Sequence, residues 1–507
     1  MMTTRRTILL SALALSAGKF SFGQAPAKPN IVYILCDDLG YGDIHALNPT
    51  RCKIKTPHID RLASEGMSFT DAHSGSAVCT PSRYGILTGR YAWRTHLQSG
   101  VLNGLSEPLI APTQLTVASL LKEKGYATAA IGKWHLGMTF GADTYADPIK
   151  DNPLQHGFDY YFGITASLDM PPFVYIENQR FTQVPTVEKR WVRTGPAAKD
   201  FEAVNVLPDL TRKAVGYITD HAAAAKASQP FFLYLALTAP HTPILPSPEW
   251  QGKSGIGTYG DFVMQVDGCI GEVMQALQKA GIADNTLLVF TSDNGCSPAA
   301  DVKKLEEEGH YPSAAFRGYK ADIWEGGHRI PFLVRWPGKV KPGTQSDAIT
   351  CQTDFMATCA EILGAKVPEN AGADSVSMLP ALLQNGRGPQ REAVVHHSID
   401  GYFAIRKGKW KLELCAGSGG WAAPREYPAR QQKLPLVQLY DMSVDSSEQK
   451  NVAAEHPNVV TELTALLEKY VSEGRSTPGP KQSNDVRINL HKVPKPPKPA
   501  TPAPRED

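Results

Sequence analysis

Short, continuous apolar runs alternate along this chain with longer stretches whose apolar positions recur at helical spacing. The run "NIVYILC" (30–36) has no polar face and reads as a strand buried on both sides. "TPHIDRLASEG" follows with a Thr cap, a Pro at the first helical position and a Gly stop, which predicts a helix. The helical pattern "TQLTVASLLKEKG" leads into the strand pattern "YATAAIGKWH". In the same way "PDLTRKAVGYITDHAAAA" leads into "PFFLYLALTA", and "DFVMQVDGCIGEVMQALQKAG" into "NTLLVFTSDNG". This alternation predicts an α/β fold, a mostly parallel sheet with helices on both faces.

The pattern changes after about Leu383. "YFAIRKGKWKLEL" alternates like two antiparallel strands around a Lys-Gly turn, and "NVVTELTALLEKYVSEG" is amphipathic with helical period. The expected organisation is a leader at 1–27, a main α/β domain at 28–385, and a small α+β C-terminal subdomain at 386–475. A Pro- and Lys-rich tail at 476–507 is expected to be extended and disordered. The sequence shows no internal repeats.

Composition narrows the function classes. The 507 residues are 42% hydrophobic and 20% charged, with a formal net charge of +2, as in ordinary soluble globular proteins. So balanced a charge gives no reason to expect nucleic acid or an anionic membrane as the main partner. "MMTTRRTILLSALALSAG" has a basic start, an apolar run from Ile8 to Ala17 and then small residues, with "APA" before Lys28 as a cleavage site. This predicts export to the periplasm or the extracellular space. Arg5-Arg6 matches a twin-arginine signal only in part, so the route stays open. The apolar run is too short to cross a bilayer, and no later segment is long and apolar enough. Eight cysteines without a CxxC pair argue against a thiolate zinc site and leave disulfide pairing open.

The candidate chemistry sits where apolar runs end. Asp37 and Asp38 follow the first strand, and Asp293 and Asn294 follow "TLLVFTS". Taken alone, each acidic pair reads as a turn. In open α/β sheets, however, ligands bind at the carboxyl ends of strands. Neighbouring carboxylates there repel each other unless a cation lies between them. This all-oxygen set suits a hard cation, calcium more readily than magnesium. Lys133 and His135 lie two apart, and on a strand they would share a face. His241 follows "PFFLYLAL", and Lys320 lies in a Gly-bounded loop.

Cys79, in "SAVCTPSRYGILTGR", stands before Pro81 at a helix start, with Arg83 one turn on. Such a position suits an anion or an activated thiolate. A soft thiolate is a poor ligand for a hard cation held by carboxylates, so an oxygen at residue 79 would fit better.

"CTPSR" continuing as "YGILTGR" resembles the C-x-P-S-R signature of the type I sulfatases, with its L-T-G-R extension. The resemblance runs from about Pro29 to Gly338 and takes in "DDLGYGD", "GYATAAIGKWHLG", "HGFDYYFG", "FFLYLALTAPHTP", "VFTSDNG" and "RGYKADIWEGGHRIPFLVRWPG". It implies an alkaline phosphatase-like fold, with a large mixed, mostly parallel sheet sandwiched by helices. It implies that a formylglycine-generating or sulfatase-maturing enzyme oxidises Cys79 to formylglycine (3-oxoalanine). One calcium ion would be held by Asp37, Asp38, Asp293, Asn294 and modified Cys79. Arg83 and Lys133 would hold the formylglycine hydrate, His135 would act on its second hydroxyl, His241 would sit near the leaving oxygen, and Lys320 would contact the sulfate. The implied reaction is hydrolysis of a sulfate ester, with a sulfated carbohydrate as substrate and N-acetylgalactosamine 6-sulfate as the specific guess. Two alternatives stand beside it: a phosphoester or phosphonate hydrolase of the same superfamily, and a non-catalytic binder of sulfated glycans.

Overall fold

The computed structural model describes residues 28–384 and 391–494. The leader at 1–27, the expected domain boundary near 385 and the end of the tail at 495–507 lie outside these residues. The apolar run that opens the described chain forms β1 (Asn30–Asp37), and all eight of its residues are buried. Burial on both faces explains why this strand lacks polar alternation.

The main sheet adds β2 (Met67–Phe69), β3 (Ala127–Lys133), β4 (Tyr160–Ile164), β5 (Ile176–Glu177) and β6 (Arg180–Phe181). It is completed by β7 (Phe231–Pro240), β8 (Thr286–Ser292), β9 (Phe332–Arg335) and β10 (Thr344–Ser346). The ten strands lie in the order β10-β2-β9-β8-β1-β7-β3-β4-β5-β6. The central five, β8 to β4, are parallel, while β9 and β5 join antiparallel at the two flanks. Strands β1, β7, β8 and β3 therefore present their carboxyl ends side by side.

Helices cover both faces. α1 (Pro57–Glu65) packs on a helix that spans Thr258–Lys279, and that helix packs in turn on the one at Ala203–Lys226 and on β7. On the other face the rings of Tyr33 and Phe232 pack at a tilt against Phe355, which opens the helix Phe355–Ile362. α2 (Cys79–Thr88) and α3 (Val117–Glu123) pack against that same helix. Pro57 starts α1 as the sequence predicts, but Thr56 does not cap it. The Thr56 hydroxyl instead accepts from the His45 N–H at 3.1 Å and donates to Asp60 at 3.0 Å.

The C-terminal subdomain has four antiparallel strands, β11 (Val394–His397), β12 (Phe403–Lys407), β13 (Trp410–Glu413) and β14 (Gln438–Asp441), with the helix Pro457–Glu473 beside them. Its apolar core includes Tyr91 and Trp93 of the main domain. A buried ionic network also crosses the junction: Lys411 pairs with Glu325, Glu413 and Glu448, and Asp71 pairs with Arg329 and Arg406. The subdomain is therefore built into the main domain.

Residues 476–494, expected to be disordered, pack against the main domain. Asp485 pairs with Arg90 at 2.9 Å, and Leu490 is buried. Arg94 donates to Asp374 through Nε at 2.8 Å and Nη2 at 2.7 Å, and through Nη1 to the Tyr470 carbonyl and Asn484 at 3.0 Å each. These buried arginines need acceptors, and the first part of the tail provides some of them. All eight cysteines are free and buried. No helix among the described residues is long and apolar enough to cross a membrane.

Replacing Arg94 by Met should leave Asp374 as a buried carboxylate without its cation, at a cost of about 3–5 kcal/mol. Urea unfolding of the variant measures this. A cost under about 1 kcal/mol would show that this buried pair adds little to stability.

Candidate active site

The four adjacent parallel strands bring the candidate residues to one edge of the sheet. Asp37 ends β1, Lys133 ends β3, His241 follows β7, and Asp293 and Asn294 follow β8. Two features of the backbone aim them. Asp38 adopts φ +67°, a left-handed conformation that Asp tolerates, and this turns the chain back directly after β1. Gly132, at φ +121°, lies so close to β7 that an added Cβ would stand 1.8 Å from the Ala236 carbonyl oxygen. Only glycine fits there, and Lys133 is directed from that point.

Cys79 opens α2, whose ten residues are all buried. Val78 precedes the helix in extended conformation, and Gly89 ends it at φ +61°. Ser82 Oγ reaches back to the Val78 and Ser76 carbonyls at 3.0 Å each. Ala77 N–H and Ser76 Oγ bond the His397 carbonyl of the C-terminal subdomain at 3.0 and 2.9 Å. The cysteine is thus fixed at the positive end of a buried helix.

Around it lie three carboxylates and three cations, all buried. Arg83 donates Nε and Nη2 to Asp293 Oδ2 at 3.0 and 2.7 Å, and Nη1 to the Lys133 carbonyl at 3.0 Å. Lys133 Nζ is 2.7 Å from Asp37 Oδ2, and Lys320 Nζ is 2.7 Å from Asp38 Oδ1. His241 Nε2 stands 3.6 Å from Asp38 Oδ2, while its Nδ1–H donates to the Thr242 carbonyl at 2.7 Å. Asn294 Nδ2 donates to Asp38 Oδ1 at 2.8 Å. One acceptor atom each of Asp37, Cys79 and Asp293 falls within 4.8 Å of the others. Nine of the ten predicted residues are linked in this way.

His135 reaches the same region by a different route from the one its spacing suggested. β3 ends at Lys133, and His135 has φ +59°, so strand alternation does not orient it. Its N–H bonds the Thr165 carbonyl at 2.9 Å, and its Nε2 bonds the Leu102 carbonyl at 2.7 Å. A carbonyl partner makes Nε2 the protonated nitrogen. Nδ1 is left buried with no hydrogen-bond partner. Burial and then the Lys133 charge hold the imidazole well below its usual pKa, so the ring is neutral and Nδ1 is a free acceptor.

The charges shape one another. Burial alone would raise the Asp37 carboxyl, but Lys133, His241, Arg83 and Lys320 together hold it well below the usual carboxylate range. Burial, with the Asp37 charge added, pushes Asp293 up to about 6. Burial also raises the Cys79 thiol despite Lys133 and Lys320, so the sulfur is protonated at neutral pH. Asp37 Oδ1 and Asn294 Oδ1 are buried and have no partner. These unpaired oxygens, with the neighbouring carboxylates, form a hard donor set that suits a calcium ion. A protonated thiol is the one donor in the set that does not suit it.

A supporting group was not evident from the sequence. Asp43, within "DDLGYGD", accepts from the Gly40 N–H at 2.7 Å, the Tyr259 hydroxyl at 2.5 Å and His310 Nε2 at 2.8 Å. These bonds hold the loop that carries Asp37 and Asp38. The only local sign was its place in an acidic, glycine-rich motif.

The Sulfatase family model matches residues 29–365. The chain belongs to the sulfatase family. A second model, the C-terminal region of N-sulphoglucosamine sulphohydrolase, matches residues 319–414. The chain is 39% identical to the N-acetylgalactosamine-6-O-sulfatase of Bacteroides thetaiotaomicron, over 88% of this chain and 94% of that relative. It is 32% identical to human arylsulfatase A, over 93% and 92%. Its fold superposes with a TM-score of 0.77 on a 6S-sulfatase from a Bacteroides thetaiotaomicron locus for metabolism of multiple glycosaminoglycans, at 37% identity, covering 87% of this chain and 99% of the other. The structure of Ps i-CgsB in complex with a neocarrahexaose matches with a TM-score of 0.69 and 27% identity, covering 90% and 95%. This sulfatase is therefore a hydrolase of sulfate esters.

Replacing Asp43 by Ala should leave the Tyr259 hydroxyl and His310 buried without their acceptor, costing about 3 kcal/mol of stability. Thermal unfolding of the variant tests this, and an unchanged midpoint would refute it.

Proposed function

We propose that this sulfatase removes sulfate from a sulfated carbohydrate, using a calcium ion at Asp37, Asp38, Asp293 and Asn294 and a formylglycine made from Cys79. The observation that carries this reading is the pairing of a hard oxygen donor set, with two unpartnered buried oxygens, and a buried cysteine whose protonated sulfur is the wrong donor for it. Oxidation of residue 79 replaces that sulfur with oxygen. Its maturing enzyme is the partner this implies, and the basic-then-apolar pattern of the first 27 residues supports export.

When bound, the ion would neutralise charge on the sulfate oxygens, and the hydrated aldehyde would supply one hydroxyl to attack sulfur and a second to lose its proton as sulfate is expelled. The chain's own residues do the rest. Lys133, Arg83 and Lys320 surround the reacting group with fixed positive charge. His241 holds its Nδ1–H on the Thr242 carbonyl, which frees Nε2 to face the departing alcohol oxygen and, when it carries a second proton, to pass that proton to it. His135, neutral and with Nδ1 unpaired, is arranged to take the proton of the second hydroxyl. The names of the relatives at 39% and 37% identity favour a 6-sulfated N-acetylgalactosamine as the first substrate to try.

Paired sulfate and phosphate esters of one alcohol test the reaction class: turnover of the sulfate should dominate, and equal or greater phosphate turnover would overturn the reading. Cys79→Ala should lower turnover by about 10⁴-fold or more while the thermal unfolding midpoint is kept. Mass spectrometry of the Cys79 peptide from the native host should show the thiol replaced by an aldehyde, and an intact thiol in fully active protein would refute the modification.

The raised Asp293 carboxyl adds a pH dependence. Below about pH 6 a calcium ion must displace its proton, so affinity should fall by up to about tenfold per pH unit, with proton release on binding. Isothermal titration calorimetry in two buffers of different ionisation enthalpy reads both effects. Constant affinity between about pH 5 and pH 7 would rule them out.

A further inference from the structure

Asp322, two residues after Lys320, is a fully buried carboxylate with no cation paired to it among the described residues. Three of its partners are backbone donors, and the Ser418 side chain is a fourth. Oδ2 accepts from the Tyr319 N–H at 3.0 Å, and Oδ1 accepts from the N–H groups of Trp421 and Ala422 at 2.8 and 3.0 Å. The first partner lies in the Lys320 turn and the other two in a loop of the C-terminal subdomain. Burying an uncompensated carboxylate is costly, so a chain that only needed to fill this space would do better with an apolar residue. Burial pushes the group up to about 7, against the pull of the three backbone bonds and of the Ser418 side chain.

The turn it holds is strained. Ala321, between Lys320 and Asp322, has φ +83°, a region that residues with a Cβ avoid. Both of its backbone groups are engaged: its N–H donates to the Ala77 carbonyl at 2.8 Å, and its carbonyl accepts from the Ile399 N–H at 3.0 Å. Ile323 N–H bonds the Ser418 carbonyl at 2.8 Å. Gly420 fits against this turn only because it lacks a side chain; an added Cβ would stand 2.4 Å from the Ala321 oxygen and 2.7 Å from Asp322 Oδ1. The segment before Cys79, the Lys320 turn and the subdomain loop thus meet at Ala321 and Asp322. Lys320 itself projects from this junction to Asp38.

We propose that Asp322 is a positioning residue for Lys320, clamping the strained Lys320–Ala321 turn to the 418–422 loop so that the C-terminal subdomain completes the catalytic centre. This rests on the assignment of Lys320 to the sulfate group. Asp322 touches no reacting atom; its effect passes through the ammonium group of Lys320. Relaxation of Ala321 out of its left-handed conformation would swing Lys320 away from Asp38 and from the bound sulfate. The class of residue is therefore one that sets transition-state contact, and its loss should appear in kcat/KM.

The experiment is a double-mutant cycle on a chromogenic aryl sulfate, with the formylglycine content of each variant measured by mass spectrometry. Asp322→Asn keeps one acceptor oxygen but places an amide against an N–H donor, and it should lower kcat/KM by about 10- to 100-fold. In a Lys320→Ala background, read by release of inorganic sulfate, the same change should cost less than about twofold. Ala321→Gly, which removes the strain at φ +83°, should restore at least about threefold to Asp322→Asn. An equal loss in the presence and absence of Lys320, or a lower thermal midpoint with unchanged kcat/KM, would overturn the proposal. If Asp322→Asn does not fold, Gly420→Ala perturbs the clamp from the subdomain side and is judged by the same cycle. Absence of sulfate-ester turnover in the unsubstituted chain would overturn the Lys320 assignment as well, and is thereby told apart from failure of the clamp alone.

Discussion

Three buried carboxylates at one edge of a parallel sheet are the constraint on which much of this molecule depends. Asp37, Asp38 and Asp293 could not stay ionised so close together in a water-poor site without nearby positive charge. Arg83, Lys133 and Lys320 match them one for one. That balance has a functional meaning. Under the proposed function, a divalent ion added to this neutral set would leave a surplus of positive charge, which a sulfate ester, carrying a single negative charge, would offset in part.

The fold supplies the geometry by simple means. Parallel strands in the order β8-β1-β7-β3 put four chain crossings next to each other at their carboxyl ends. Gly132 lets β3 and β7 approach closely, and the left-handed Asp38 turns the chain at the end of β1. The C-terminal subdomain then closes the site from the side of α2 and the Lys320 turn. Its shared core with Tyr91 and Trp93 makes it a structural part of the same unit.

Much of this was legible in the sequence, for identifiable reasons. Asp37 and Asp293 stood out because each ends or follows a largely apolar run that is buried throughout, and burial on both faces removes the polar alternation that would blur a strand's end. Cys79 stood out because its helix start and Arg83 lie within one turn. The spacing of His135 from Lys133 suggests a shared strand face, which the backbone does not follow, since β3 stops at Lys133 and a left-handed residue carries the ring; its assignment to the site comes from the family resemblance. The roles of Tyr259 and His310 were hidden because they meet Asp43 across 216 and 267 residues of chain, with no local pattern to connect them. The packed part of the tail was misread for a related reason. Proline and lysine content signals an unfolded segment only when nothing distant needs its acceptors, and Arg90 and Arg94 do.

The burial of α2 also has a consequence for the order of events during synthesis. The groups that fasten the cysteine segment come from far downstream: Ala321 and His397 beside Ala77, and Asp485 beside Arg90 at the far end of the signature. While the ribosome is still making those residues, the stretch around Cys79 has been produced but lacks the contacts that enclose it. If Cys79 is oxidised as proposed, the maturing enzyme would have to reach the sulfur before the last part of the chain docks. The enclosure of residue 79 thus depends on parts of the chain that lie hundreds of residues downstream of it.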